Sequence, residues 1–560
     1  MRVRWYLALA ALALGIVAAA WPLAAARAHF VPDDDRYLNA IRVAEAGDAT
    51  ALIEATVVEN RWDQHWWIPD GTYIRFFRPF VIASYVVDEA VWGMNAAGFT
   101  LTNVALHLAC TWLVYVVMLS LLERWRGPQP LAALAGALLF AVQAAHAEQL
   151  WYIAGRTDTL AALAFLGGLV AWTRRRGPLV LGALFFVMLL AKEYTVLFVP
   201  VVVLLERWLP AGAWRGWRAL FVERRATWAA LGVALVVFLA LRAIALGEAG
   251  AGVKPYPYFF LPEREHFVAR TGAIALEYAT SLVLGRPIAT FIAGLDEVVA
   301  RHGWWRLAGS GAALLAFAAY AVRTPPGRFG LASFALLLVP LLPLYSTGRY
   351  LYLPTIGLVL AFAAVLVQLR SRRVAVALAV LAIGSQAWWS QDALQTLPKR
   401  PGTPTSGEQV LALFESAPFD LAPGAPPIFV AEFPMPWLAQ QFVRDSLELR
   451  LGHAVPPIQL LSTAPRGPGP GLLDIERRGT GFAFARPNGP LYLADPRSDF
   501  EQRRVTEGEV IYERGYEFEV LRELDGLATA AEVRPATSDF QLGVFRPTTT
   551  SPGWRAEAVR

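Results

Sequence analysis

Apolar residues fill long stretches of the first 390 positions, and charges retreat to the ends of those stretches. Leu131 to Ala145 and Leu231 to Leu241 contain no charged side chain at all. A bilayer core is crossed by roughly 20 apolar residues in a helix. Runs of this kind are predicted at 5–26, 98–122, 131–150, 157–173, 178–191, 195–209, 227–246, 304–322, 329–346, 351–369 and 373–390, eleven spans in all. With the N-terminus inside, the inner loops collect Arg124 and Arg126, Arg174 to Arg176, Arg215, Arg218, Arg224 and Arg225, Arg323 and Arg328, and Arg370, Arg372 and Arg373. This is the positive-inside pattern. Residues 268–285 carry Arg270 and Glu277, and inserting them would move Arg323 and Arg328 to the outer side, so they read as an interfacial or re-entrant helix. Arg2 and Arg4 ahead of an apolar run ending in Ala26-Arg27-Ala28 resemble a secretory signal, but that run is longer than a signal core of about 7–15 residues. An uncleaved first helix is the expectation.

Three stretches break the apolar pattern, and the odd number of spans puts all three outside the cytoplasm. In the first loop, 28–97, the segment from Tyr37 to Val58 reads as an amphipathic helix. The second stretch is 247–303. After 390 the composition turns polar: 391–405 reads as a linker with Pro401 to Pro404, and 406–560 as a soluble domain. In that domain Pro427 to Phe433, Pro457 to Ser462, Tyr492 to Ala494, Glu509 to Arg514 and Tyr516 to Leu521 read as strands, with a helix over Trp437 to Leu451. The predicted architecture is an α-helical multi-pass membrane domain over 1–390 followed by a small α/β or β-rich domain.

Composition agrees. The chain is 56% hydrophobic and 17% charged, with 20 Trp among 560 residues, and its mean hydropathy is +0.42. That balance excludes a cytosolic globular enzyme. The net charge of +5 sits mostly at helix ends, so it reports topology rather than a nucleic-acid partner. Cys110 is the single cysteine, which excludes an intramolecular disulfide and a zinc cluster. Abundant Ala, with Lys only at 192, 254 and 399, suits a GC-rich bacterial genome and hence an inner-membrane location. P-loop, Gly-x-Ser-x-Gly and His-Glu-x-x-His motifs are absent, as is any helical repeat.

The scarce charges outside the inner loops are the candidates for chemistry. Asp33-Asp34-Asp35 follows the first apolar run, where adjacent carboxylates repel one another, and could supply a general base or a metal site. A helix N-cap is the competing assignment. His146, Glu148, Arg156 and Asp158 sit around one turn, Lys192-Glu193 at another and Arg349 at a third. Ionisable groups at membrane depth are expensive and usually face a cavity or one another, and carboxylates and cations gathered at one leaflet suit a charged lipid headgroup. Taken singly, each could equally snorkel or cap a helix. Arg78 ahead of Pro79 could anchor at the interface, and Trp66-Trp67 could belong to an aromatic belt. Asn103 and His107, four apart on one helix face, read as interhelical hydrogen-bonding residues more readily than as a catalytic pair.

Taken in order, these segments resemble the GT-C glycosyltransferases, and within them the transmembrane O-mannosyltransferases that carry TPR repeats. Phe30-Val31-Pro32-Asp33-Asp34 is similar to that family's acidic first-loop motif, and Phe77-Arg78-Pro79-Phe80 to its aromatic-Arg-Pro-Leu motif. Phe99 to His107 follows the same pattern. Leu139 to Phe165, with His146-Ala147-Glu148, Gly155-Arg156 and Asp158, is the most specific match. Leu190-Ala191-Lys192-Glu193 and Arg349-Tyr350-Leu351-Tyr352-Leu353-Pro354 complete the set over roughly residues 1–390. Three departures stand out: Gln143-Ala144 replaces a His-Pro pair, Gly348 replaces an acidic residue, and the TPR array gives way to a different tail.

The resemblance implies transfer of a sugar from a polyprenyl-phosphate carrier in the bilayer to a protein, lipid or glycan acceptor on the periplasmic side, with no nucleic acid involved. It implies Asp34 or Asp33 as base and inversion at the anomeric carbon. Arg156, Lys192 and Arg349, with His146 and Glu148, would bind the donor phosphate, supported by Asp158, Glu193 and Arg78. No nucleotide or redox cofactor is called for. A divalent cation, Mg or Mn, on Asp33, Asp34 and Glu148 is the one cofactor considered. The rival is a transporter or flippase of lipid-linked sugars, which would show paired inverted repeats or helices broken in matching halves. None is visible.

Overall fold

The computed structural model describes Gly15 and residues 29–61, 64–71, 73–208, 216–247, 253–254, 267–289, 292, 294–396, 407–415, 419–432, 440–462, 473–478, 481–487, 491–492, 503–513, 516–524, 527–534, 540–547 and 554–558. The expected first span, the cleavage-like sequence and the Pro401 to Pro404 linker lie outside them. Two compact units result: 1–29, 77–249 and 260–398 form one, and 30–76, 250–259 and 399–560 form the other.

The first unit is helical. Five of its described helices are long and apolar enough to cross a membrane: Ala96–Arg126, Ile153–Thr173, Arg225–Leu246, Phe267–Leu284 and Arg372–Leu394. A sixth span is the pair Pro130–Ala141 and Ala144–Trp151, bent by 47°. The bend falls at Gln143, whose backbone is extended (φ −66°, ψ 125°). Pro178–Ala191, Pro325–Leu341 and Thr355–Gln368 are shorter apolar helices. The run predicted as a single span over 131–150 is thus broken. Between the separately predicted runs 178–191 and 195–209, Lys192 has an extended backbone (φ −160°, ψ 124°) that ends one helix before Glu193–Leu197 starts a 3-10 turn.

Phe267–Leu284, the segment read as interfacial or re-entrant, is one continuous helix of 18 residues, about 27 Å long at 1.5 Å per residue, and is long and apolar enough to cross a membrane. Its acid is not exposed. The Glu277 carboxylate is fully buried and held by His302 Nε2 at 2.7 Å, Arg301 Nε at 3.3 Å and the Ala289 amide at 3.0 Å.

Helices of this unit approach closely through small residues. A Cβ on Gly330 would lie 2.5 Å from the Gly357 carbonyl oxygen, so Pro325–Leu338 and Thr355–Gln368 meet backbone to backbone. The core runs through Val114, Phe140, Phe165, Trp172 and Phe185, all fully or almost fully buried.

The second unit is α/β. A five-stranded antiparallel sheet runs Asp474–Arg478, Gly481–Ala485, Leu527–Arg534, Tyr516–Leu524, Val510–Glu513. A four-stranded sheet runs Trp554–Ala558, Gln541–Pro547, Ile428–Ala431, Ile458–Leu460, the last three strands parallel. The helix Gln440–Leu451 supplies the crossover that parallel strands require. Tyr492 is not in a strand, and residues 493 and 494 lie outside the described set.

The first-loop segment belongs to this unit rather than to the membrane helices. The single amphipathic helix expected over Tyr37 to Val58 is instead two helices, Pro32–Glu45 and Thr50–Glu54, and the strand Val57–Arg61. Gly47, at φ 115°, ends the first in a conformation that disfavours any residue with a Cβ. Trp66 and Trp67 are not membrane-belt residues. Trp66 is wholly buried, stacked on Phe518 at 5.2 Å, edge-on to Phe484 and Tyr492, and its Nε1 donates to the Leu461 carbonyl at 3.0 Å. Trp67 stacks on Tyr492.

Candidate active site

In the first unit, residues from five helix ends converge. Arg78 caps the N-terminus of Pro79–Trp92, and Glu148 and Asp158 lie in the first turns of Ala147–Trp151 and Arg156–Thr173. Carboxylates are favoured there by the helix dipole. Lys192 and Glu193 follow Pro178–Ala191, and Arg349 sits in the turn Gly348–Leu351.

The pairings are specific. Lys192 Nζ lies 2.5 Å from Asp158 Oδ1. Glu193 bridges Arg78 at 3.5 Å and Arg242 at 3.0 Å. Glu148 accepts from the Thr347 hydroxyl at 2.6 Å and the Arg349 amide at 3.3 Å, with the Arg349 guanidinium 3.8 Å away. Arg78 and Arg349 both act electrostatically on the Lys192 ammonium, which places the three cations together. Arg78, Lys192, Arg242 and Arg349 thus share one polar cluster with Glu148, Asp158 and Glu193.

Tyrosines frame the cations. Lys192 Nζ is 5.1 Å from the ring centre of Tyr194 and 5.3 Å from that of Tyr350. Arg349 lies over Tyr152 and Tyr345 and donates to the Tyr345 hydroxyl. The Lys192 and Arg349 side chains retain 10% and 25% exposure. Cations edged by phenols, neither sealed nor freely solvated, can take an anion such as a phosphate.

Gly348, where an acidic residue was expected, follows from the same crowding. A Cβ there would meet the Ala145 carbonyl oxygen at 2.5 Å and Glu148 Oε2 at 3.5 Å.

Two sequence candidates sit elsewhere in this unit. The Arg156 guanidinium has no exposure: it pairs with Asp88 Oδ2 at 2.7 Å and donates to the Phe99 and Ile153 carbonyls. It is also sandwiched near Tyr85 and Phe99, 4.6 and 5.4 Å from their centres. His146 is likewise fully buried, with Nδ1 2.9 Å from the Phe140 carbonyl and Nε2 2.9 Å from Thr355 Oγ1. Both side chains are saturated by the protein. Asn103 and His107 make the expected interhelical hydrogen bonds, Asn103 to the Gln149 carbonyl and His107 to Tyr352 and the Ala141 carbonyl. Asp88 and Arg242 were not singled out in the sequence.

The acidic motif lies in the second unit, on the first turn of Pro32–Glu45. The three carboxylates differ. Asp34 is fully buried and accepts the Val31 amide at 2.9 Å, capping its own helix. Asp35 is fully buried, accepts from Ser446 Oγ at 2.6 Å and pairs with Arg450 at 2.9 Å. Asp33 keeps partial exposure. Among the described residues no group of three or more His, Cys, Asp or Glu is arranged to hold a metal ion. Glu148, in the first unit, is engaged by Thr347 and Arg349.

These features define a helical membrane protein with a cationic, tyrosine-edged site built from helix ends. Comparison with characterised proteins then gives names to what it is similar to. The chain is 32% identical over 167 residues to protein O-mannosyl-transferase Tmtc1 of Drosophila melanogaster, 29% of this chain and 18% of the relative. It is 30% identical over 148 residues to protein O-mannosyl-transferase TMTC1 of Mus musculus, 26% of this chain and 15% of the relative. The match thus spans less than a fifth of either relative's length. No protein-family profile matches the chain. Among solved structures, ArnT from Cupriavidus metallidurans bound to undecaprenyl phosphate aligns over 82% of this chain and 86% of its own, with 13% identity and a TM-score of 0.45. Arabinofuranosyltransferase AftD from Mycobacteria aligns over 84% of this chain and 34% of its own, with 16% identity and a TM-score of 0.45.

Proposed function

We propose that the protein is a membrane glycosyltransferase that moves a sugar from a polyprenyl-phosphate carrier to an acceptor hydroxyl on the extracytoplasmic side of a bacterial inner membrane. The observation that carries this reading is the cluster of Arg78, Lys192 and Arg349, held by Glu193, Asp158 and Glu148, in which the Lys192 and Arg349 side chains keep partial exposure. The similarity to protein O-mannosyl-transferases supports it.

In the reaction the acceptor oxygen forms a bond to the anomeric carbon while the bond from that carbon to the phosphate oxygen breaks. The acceptor proton passes to a carboxylate, for which Asp33 is our candidate in the acidic motif because Asp34 is spent on capping. The carrier leaves as polyprenyl phosphate, its growing negative charge stabilised by Lys192 and Arg349. A single displacement inverts the anomeric centre. Asp158, Glu193 and Glu148 orient the cations, and Arg156 and His146 hold the helices that present them. No step is routed through a metal.

The test uses the full chain in liposomes with labelled polyprenyl-phosphate sugar and a hydroxyl acceptor mixture. Label should leave the lipid in the parent and be retained on it in Lys192→Met and Arg349→Gln, each shown by size exclusion to be folded before the assay. Label that crosses the bilayer while staying on its lipid would replace the transferase with a flippase.

A further inference from the structure

The third carboxylate of Asp33-Asp34-Asp35 does something different from the other two. Asp35, Asn39 and Arg42 are spaced by four and three residues, so they share one face of Pro32–Glu45. Every one of them reaches the tail helix Gln440–Leu451. Asp35 takes Ser446 and Arg450, themselves four apart, Asn39 donates to Glu448 Oε2 at 3.4 Å, and Arg42 donates to the Leu449 carbonyl. Arg36 ties the helix to the strand Val57–Arg61 through the Val57 and Glu59 carbonyls.

We propose that the tail helix is a clasp that fixes the first turn of Pro32–Glu45, making Asp35 a positioning residue and giving the C-terminal domain a part in the reaction. The inference rests on the transferase reading above and extends it to a segment that reading leaves without a task. Asp33 and Asp34 precede the clasped residue directly, so a first turn locked at Asp35 fixes where their carboxylates point. Energetics favour a functional reason for the pair. Burial pushes the Asp35 carboxyl up to about 6 despite the opposing pull of Arg450 and Ser446, so its ionised form is costly to the fold. Replacing both members of a buried ion pair by apolar residues is often neutral or stabilising, so a costly pair suits a site where geometry matters more than stability.

The experiment compares Asp35→Asn, Arg450→Gln and Arg450→Lys with an exposed control, Arg444→Gln, in full-length protein in lipid nanodiscs. Amide hydrogen exchange across residues 31–36 is expected to quicken about tenfold in Asp35→Asn and Arg450→Gln. Arg450→Lys should restore protection, and the control should not change it. In Asp35→Asn the transfer rate should drop about tenfold with KM for the lipid donor unchanged. Unchanged exchange overturns the clasp whatever the activity. A parent protein that exchanges as expected but transfers no sugar overturns the transferase reading and leaves the clasp standing.

Discussion

Replacing Asp88 by Asn separates a structural from a ligand-binding Arg156. The two side chains meet at 2.7 Å with 5% and 0% exposure. The substitution is nearly isosteric, so it removes a charge and little volume. Breaking one partner of a buried pair costs about 3–5 kcal/mol because the remaining charge stays buried. Arg156 keeps carbonyl acceptors at Phe99 and Ile153 and the faces of Tyr85 and Phe99, which argues for the lower end. A loss of ~3 kcal/mol is roughly a 150-fold fall in the folded ratio. Chemical denaturation in detergent micelles, followed by size exclusion, reads it directly. The double variant Asp88→Leu with Arg156→Leu removes both charges and should be more stable than Asp88→Asn. Asp88→Asn with parental stability would refute the assignment. So would a fully stable Arg156→Met whose only defect is weaker binding of the lipid donor.

Three further outcomes are expected. Trp66→Ala deletes a wholly buried indole and its hydrogen bond to Leu461 and should destabilise the second unit by about 3–5 kcal/mol, seen as new protease cleavage within 399–560. Gly348→Ala should push the backbone beside Arg349 off the Ala145 carbonyl, contacts being too short for a methyl group, and lower transfer by about 10²-fold with little change in melting temperature. The Asp35 carboxyl, normally 3.8 and pushed up to about 6 by burial, keeps its proton in the folded state where the unfolded chain has lost it. Stability of the second unit should therefore fall as pH rises from 3.8 through 6 by on the order of 3 kcal/mol, and Asp35→Asn should flatten that dependence in denaturation curves taken across the window.

Hydropathy and charge placement made the membrane helices legible, because apolar length and Arg position are local signals. The meeting of Glu148, Asp158, Lys192 and Arg349 was legible too, since charges at apolar helix ends have few places to go. Which of them face a ligand was not. Arg156 and Lys192 look alike in sequence, and only the distant partners Asp88 and Asp158 separate a sealed guanidinium from a half-open ammonium. His146 read as a ligand because its carbonyl partner, Phe140, comes from a helix bent at Gln143, a kink without Pro or Gly to announce it. Trp66-Trp67 read as a membrane belt because an indole pair has the same pattern in a core, and the strands that bury it begin some 360 residues later, after Ala422. The strands Asp474–Arg478 and Leu527–Arg534 escaped notice, the first being charged at every position but Ile475 and the second Ala-rich.

The link between Asp35 and Ser446 spans 411 residues of chain, and that distance has a meaning in time. At about 5–20 residues per second of synthesis, roughly 20–80 s separate the two residues leaving the ribosome. The acidic helix therefore waits for the helix Gln440–Leu451 to emerge before it meets Ser446 and Arg450. Synthesis of that later helix, rather than folding of the acidic helix by itself, sets the time at which Asp35 finds its partners.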